Sequence, residues 1–237
     1  MARPDGVVIV SERYWAFAGV DGRLREGTMP QPPRVLANVP LARGLVRLGL
    51  ALAPLLSSRG AATRRERLFV LAALILPFSF VALPSGWTLP AGLILTLALL
   101  ATLLRGRALS LHGAEHRAIA AAEERRLTSS FDGTARPSRF SPRCGTNFAA
   151  IALPTALAAQ EVWPLTPALW TPLVVTSLSL ALSMELWRIV QAAGRGPLRL
   201  FLLPGLALQR LTTREPRPDE TRVALTAVAS VIRRELA

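Results

Sequence analysis

The chain contains two histidines, His112 and His116, and Glu115 lies between them. On a helix, residues i and i+4 lie one turn apart on the same face. Two imidazoles placed in this way can bind one metal ion, and His-x-x-Glu-His is the order found in the inverted zinc peptidases, in which the glutamate activates water. A motif this short also arises by chance, and two surface histidines on a helix are the simpler interpretation. The surrounding sequence has to decide between the two.

Two further residues can complete such a site. Cys144 is the only cysteine, so it cannot form an intrachain disulfide, and Glu185 lies near the end of a long apolar segment. We predict His112, His116, Cys144 and Glu185 as ligands of a divalent metal ion, with zinc as the first choice, and Glu115 as the catalytic base. A carboxylate at that depth can instead pair with Arg188 or another arginine at the helix end.

Cys144 also admits other interpretations. A single cysteine near a membrane is commonly buried and inert. A neighbouring cation such as Arg143 lowers the pKa of a thiol, which would make Cys144 a better ligand or nucleophile. A cysteine–histidine hydrolase would further need a third residue to orient the histidine, and the sequence offers no clear one.

Composition points to a membrane. Of the 237 residues, 51% are hydrophobic, yet the formal net charge is +13 and every basic residue is an arginine. Membrane proteins combine these properties because apolar spans and arginine-rich loops occupy different stretches. The polar first 35 residues contain no signal-peptide core, so targeting would rely on internal spans.

Two uncharged or nearly uncharged blocks predict four transmembrane helices. Residues 68–104 contain no charge and are broken by Pro84-Ser85-Gly86, and residues 148–187 are broken around Trp163 and Pro164. At 1.5 Å per residue the first block is roughly 55 Å of helix, enough for nearly two crossings of a hydrocarbon core about 30 Å thick. Each block is therefore predicted to form a transmembrane hairpin.

The arginines predict the orientation. All 28 lie in residues 1–67, 105–146 and 188–237, and the turns between the paired spans contain none. The positive-inside rule places these three segments, with both termini, in the cytoplasm. The expected partners are membrane lipid and a membrane-protein complex. Topology explains most of the charge, so no specific nucleic acid is expected.

The fold class is therefore a mainly α, polytopic membrane protein with about four transmembrane helices, cytoplasmic helices and a small N-terminal β-hairpin. The hairpin is expected to turn at Asp21-Gly22 in a type I′ conformation. Leu41–Leu56 is expected to be an interfacial helix, and the last helix, from about Pro218, to pack on the motif helix. Six regions follow: the hairpin and a Pro-rich linker, an interfacial helix with an arginine cluster, a transmembrane hairpin, the motif region, a second transmembrane hairpin and C-terminal helices (residues 1–35, 36–67, 68–104, 105–147, 148–187 and 188–237).

Three ordered segments carry a family resemblance: Leu111–Arg117, Pro142–Phe148 and Pro204–Pro216. With them the chain resembles the YqhQ family of bacterial membrane proteins, a domain of unknown function described as predicted metal-dependent enzymes. The resemblance implies a bacterial inner-membrane protein and no established reaction. It also implies a difference, because members usually have a histidine three residues before the motif cysteine, where this chain has Ser141.

Two functions from different classes follow as hypotheses. The first is a metal-dependent hydrolase with its site at the cytoplasmic membrane interface. The alternative is a non-enzymatic membrane subunit or assembly factor of a larger complex, in which the His-Gly-Ala-Glu-His motif is structural. A transporter or channel ranks below both, because the predicted spans contain almost no polar residues for an ion path.

Overall fold

The computed structural model describes residues 1–57, 60–103, 106–162, 170–193 and 196–237. In these residues the fold is mainly helical, with one small antiparallel sheet at the N-terminus. The helices are α1 Arg34–Ala37, α2 Ala42–Ala51, α3 Ala53–Leu56, α4 Arg64–Ser79, α5 Ser85–Leu103, α6 Ala108–Glu123, α7 Leu127–Phe131, α8 Gly145–Val162, α9 Thr171–Ala192, α10 Leu203–Thr212 and α11 Pro218–Leu236, with 3-10 turns at Phe80–Ala82 and Pro197–Leu202.

The sheet has four strands in the order β1-β2-β3-β4, namely Ala2–Arg3, Gly6–Val10, Tyr14–Gly19 and Leu24–Thr28. The predicted hairpin is present as β3 and β4, but its turn is not type I′. Gly22 has a φ of 83° and Asp21 does not have a positive φ. The carbonyl of Gly19 accepts the Gly22 N–H, and the Gly19 N–H bonds to the carbonyl of Arg23. This is a type I turn closed by a left-handed glycine, the usual solution for a loop one residue longer.

One face of the sheet packs on α6 and α11. Val7, Ile9, Ala16 and Ala18 contribute the sheet side of this core. The helices contribute mostly alanines and valines, which allow close approach of their backbones: Leu111, Ala114, Ala118 and Ala121 from α6, and Ala224, Leu225, Ala227, Val228 and Val231 from α11. The expected packing of the last helix on the motif helix is confirmed, and the motif therefore lies on a rigid three-element unit.

The predicted interfacial helix is interrupted. α2 ends at Ala51 and α3 begins at Ala53, because Pro54 in the first turn of α3 has no N–H to continue the hydrogen-bond ladder of α2. The carbonyl of Pro54 accepts the N–H of Ala61 at 2.6 Å. This hydrogen bond turns the chain back towards the sheet, where Ala61 is buried.

The apolar helices give partial support for the membrane prediction. Within the described residues, one helix segment, Leu173–Ala192, is long and apolar enough to cross a membrane, with a mean hydropathy of 1.5. Pro90–Leu99 and Gly145–Ala158 are apolar but shorter. The predicted turn around Trp163 and Pro164 lies outside the described residues. The four-span topology therefore stays a prediction.

Candidate metal centre

Three side chains from two separate pieces of chain meet beside α6. The candidate ligand atoms of His112, His116 and Cys144 all lie within 4.8 Å of one another. The Cys144 Sγ lies 3.3 Å from Nε2 of His112. Ligand atoms around a tetrahedral zinc ion are about 3.4–3.6 Å apart, given bonds of about 2.0–2.3 Å. His116 and Cys144 are buried, at 3% and 7% exposure. The spacing thus suits one shared ion.

Both imidazoles are oriented by backbone carbonyls. Nδ1 of His112 lies 2.8 Å from the carbonyl oxygen of Thr212, and Nδ1 of His116 lies 2.7 Å from that of Arg139. A carbonyl oxygen only accepts, so each Nδ1 must carry the proton, and the free lone pair of the neutral ring is on Nε2. Histidine ligands in metalloproteins are held in this way by outer partners that set the tautomer.

Cys144 lies directly before α8, where two groups of Thr146 face its sulfur. The Thr146 N–H and hydroxyl lie 3.5 and 3.3 Å from Sγ. Burial opposes ionisation, but hydrogen bonds from His112, His116 and Thr146 lower the pKa of the thiol to about 5. Burial also opposes protonation of His112, yet the contact with the Cys144 sulfur raises the pKa of this imidazole. The Cys144 sulfur is therefore a thiolate at neutral pH, and it faces the two imidazoles.

Arg143 does not act on Cys144 as predicted. Its guanidinium pairs with the carboxylate of Glu123 at 2.6 Å and is 68% exposed. The low thiol pKa comes from the two histidines and Thr146 instead. Sequence proximity suggested the wrong neighbour, because successive side chains at a turn point in different directions.

The turn that carries Cys144 is held by two buried amides. Gln209 is fully buried and its amide bonds to both the N–H and the carbonyl of Ser141, at 2.8 Å each. The side-chain amide of Asn147 donates to the same carbonyl at 2.9 Å. The Ser141 hydroxyl accepts the N–H of Arg143. Ser141 is thus a structural residue of this turn.

Gly113 determines how closely the segment after α10 approaches α6. A Cβ at this position would lie 2.2 Å from the backbone oxygen of Arg214. The Arg214 N–H in turn donates to the carbonyl of Leu109 at 2.9 Å. This backbone contact brings the carbonyl of Thr212 within reach of His112. Sequence reasoning missed Gly113, although a glycine inside a helix beside two candidate ligands was a usable signal.

Glu115 lies next to the cluster and is not one of its three members. Oε1 accepts a hydrogen bond from the Met1 amino group at 2.6 Å. Oε2 is buried and has no hydrogen-bond partner among the described residues. Burial would raise the pKa of this carboxyl, but the Met1 ammonium and the histidines His112 and His116 hold it below its usual value. The carboxylate is therefore charged, and one of its oxygens has no hydrogen-bond partner among the described residues.

Glu185 is not part of the centre, which corrects the prediction of a fourth ligand. Both carboxylate oxygens are bound by Arg43, at 2.7 and 2.6 Å, and Oε1 also accepts the N–H of Leu41. Arg188 lies 3.2 Å away. The alternative interpretation, pairing with arginines at the helix end, is the one that the geometry shows. Glu185 therefore has a structural role, because its ion pair with Arg43 links α9 to α2.

Comparison with known proteins gives a family but no reaction. The family model "Protein of unknown function (DUF1385)" matches residues 91–234. The chain belongs to this family. It is also 30% identical over 134 residues to the protein named "Uncharacterized protein YqhQ" of Bacillus subtilis (strain 168). That match covers 54% of the chain and 42% of the relative, so less than half of the relative is represented. No solved structure gives a significant match.

The matched region includes every residue of the candidate centre. His112, His116 and Cys144 all lie within residues 91–234, as do the carbonyls of Arg139 and Thr212. The sheet and α2 precede this region. The region that matches the DUF1385 model thus contains the three candidate donors and the α6–α11 pair.

Proposed function

We propose that His112, His116 and Cys144 bind a divalent metal ion, with zinc as the best fit. The observation that carries this proposal is the mutual approach of the three donors within 4.8 Å together with the carbonyl bonds to both Nδ1 atoms. Two imidazoles and a thiolate form a donor set typical of zinc. A zinc ion held by three protein ligands has an open position, from which it can activate water as a Lewis acid.

The reaction class that suits this arrangement is hydrolysis, with Glu115 as the base. Its Oε2 is buried, charged and without a partner among the described residues, so it is available to accept a proton. A cavity of about 430 Å³ lies against Glu115 and is lined largely by apolar side chains of the sheet, α6 and α11. His112, His116 and Cys144 are not among the residues that line this cavity, so it would hold an apolar part of a substrate beside Glu115.

The proposed location is the cytoplasmic face of a bacterial inner membrane. Large apolar side chains are exposed on three helices: Leu71, Leu74 and Ile75 on α4, Leu93, Ile94 and Leu97 on α5, and Leu173, Leu182 and Ile189 on α9. Water disfavours so many exposed large apolar side chains, whereas lipid does not. We expect the chain to remain in the membrane fraction after an alkaline carbonate wash, and its release into the supernatant would count against the proposed spans.

Elemental analysis of the purified chain tests the metal. We expect about one equivalent of zinc in the wild type and almost none in His112→Ala or Cys144→Ser, because loss of one of three ligands removes most of the affinity. Glu185→Gln is the matched control, since it changes a nearby carboxylate that Arg43 already occupies. It should keep the metal and melt earlier. A wild-type chain without metal after growth in zinc-supplemented medium would reject the proposal.

A structural role of the motif remains the second candidate, because the same contacts tie α6 to Thr212 and Arg139. Glu115→Gln separates the two functions. If the centre is hydrolytic, the variant keeps its zinc but loses zinc-dependent hydrolysis of an activated aryl ester. If the motif is structural, neither wild type nor variant hydrolyses the ester above the metal-free control, and the chain instead copurifies with a stable membrane partner.

A further inference from the structure

A second cavity, of about 400 Å³, lies where α6 begins, between the residues that precede this helix and the segment that leads into α11. Three of the residues that line it are arginines: Arg107, Arg214 and Arg217. All three are exposed. Among the described residues, none of their guanidinium groups forms a salt bridge with a carboxylate. The cavity therefore presents three guanidinium groups that form no ion pair with a carboxylate in the part of the chain that the structure describes.

Both acidic residues in the lining have ion-pair or hydrogen-bond partners. Glu215 pairs with the buried Arg117 at 2.8 Å. Glu220 is only 1% exposed. One of its oxygens accepts the Ser110 hydroxyl at 2.7 Å and the other accepts the N–H of Arg217 at 2.9 Å. Arg117 pairs with the exposed Glu215, and the Glu220 carboxylate is buried, so three arginines and one paired carboxylate face a ligand in the cavity.

We propose that Arg107, Arg214 and Arg217 form a binding site for a phosphate group. Guanidinium groups match the oxygens of phosphate with paired, charge-assisted N–H···O bonds, and three of them around one cavity suit a group with several free oxygens. A cleft lined by one sign of charge also concentrates the oppositely charged ligand. The site is separate from the three metal donors and does not require the metal.

The position of the cavity suggests where the phosphate would come from. α5 exposes Leu93, Ile94 and Leu97 and ends at Leu103. Arg107 follows four residues later in the sequence. If α5 lies in lipid, Arg107 is at the level of the headgroups, where arginine attracts anionic lipid. The phosphate of an anionic lipid headgroup and free inorganic phosphate share the chemistry that this site recognises.

An occupant would also contact the segment that orients the metal centre. Arg214 lies two residues after Thr212, whose carbonyl bonds to His112. The Arg214 backbone is itself fixed to α6 through the carbonyl of Leu109. A phosphate bound by the Arg214 side chain would therefore lie at the edge of the proposed centre, in a suitable place to anchor a phosphate-bearing molecule.

The test is a calorimetric titration of inorganic phosphate into the full chain in phosphatidylcholine nanodiscs. We expect saturable binding that weakens by about tenfold or more in Arg214→Gln/Arg217→Gln, since each removes a charge-assisted hydrogen bond. Arg25→Gln/Arg34→Gln removes the same charge from exposed arginines outside the cavity and should leave the affinity unchanged. Equal weakening in both double variants would show a net-charge effect and overturn the proposal.

A second arm identifies the source. Nanodiscs that contain phosphatidylglycerol should block the phosphate titration, and native mass spectrometry should retain that lipid over phosphatidylcholine, if a headgroup is the occupant. An unaltered titration assigns the site to free phosphate. Absence of both phosphate binding and lipid selectivity overturns the proposal. The zinc content and the melting temperature report whether each variant is folded. If Arg214→Gln/Arg217→Gln melts at a lower temperature than the wild type, Arg107→Gln is used in its place. A chain without zinc that still binds phosphate would reject only the metal centre.

Discussion

Replacing Gly113 by alanine is expected to destabilise the chain by about 3 kcal/mol, the upper end of what one inserted methyl group costs in a packed site. The added Cβ would lie 2.2 Å from the carbonyl oxygen of Arg214, which is backbone and cannot rotate away. The segment must move as a unit, and the hydrogen bond from the Arg214 N–H to Leu109 would lengthen or break. A thermal denaturation of the purified chain measures the effect.

The same substitution should also weaken metal binding. Thr212, the last residue of α10, lies two residues before Arg214, and its carbonyl holds the His112 ring in the tautomer that presents Nε2 to the ion. Loss of such an outer partner typically costs about 10–100-fold in metal affinity. A competition titration with a zinc chelator reports this loss independently of the melting temperature.

Gly49→Ala is the matched control for Gly113→Ala. Gly49 also lies inside a helix, α2, but a Cβ there would have no heavy atom within 4 Å. Alanine in a helix is favoured over glycine by about 0.5–1 kcal/mol, so this variant should be slightly more stable than the wild type. If Gly113→Ala behaved like Gly49→Ala, the close approach of α6 to Arg214 would not exist in solution.

The sequence allowed a correct prediction of the residues that carry side-chain chemistry and local periodicity. His112 and His116 share a helix face because they are four residues apart, and the apolar stripe of α11 packs on α6 as its spacing indicated. The predicted four-span topology places Cys144 on the same side of the membrane as the two histidines, and the structure brings the three side chains together across a connection that contains α7. These inferences depend on the identity and spacing of side chains, which the sequence specifies directly.

The parts that could not be predicted depend on the backbone. The oxygens that orient the two imidazoles belong to Thr212 and Arg139, and any residue type supplies a carbonyl. The choice between Arg43 and a metal ion as the partner of Glu185 depended on where α2 packs against α9, which hydropathy does not reveal. Arg43 lies 142 residues away from Glu185, and its own helix gave no signal of that contact.

Acidification is expected to expel the metal from the centre, because protons compete with the ion for Cys144 and His112. Burial opposes ionisation of Cys144, but hydrogen bonds from His112, His116 and Thr146 outweigh it and lower the thiol pKa to about 5. The sulfur is therefore a thiolate at neutral pH and becomes a weaker ligand only as the pH falls through this value. The pKa of His112 is also raised, so protons compete with the metal ion for this imidazole as well. Metal affinity therefore decreases as the pH decreases.

The thiolate can be titrated directly, because Cys144 is the only cysteine and Cys144→Ser supplies the blank. In the metal-free chain the ultraviolet absorbance of the thiolate should appear with a midpoint at pH about 5. In His112→Ala the midpoint should move up towards the ordinary cysteine value of about 8.5, because the largest stabilising hydrogen bond is gone. A wild-type midpoint already near that value would mean that the thiol does not face the imidazoles, and the proposed donor set would then lose its sulfur ligand.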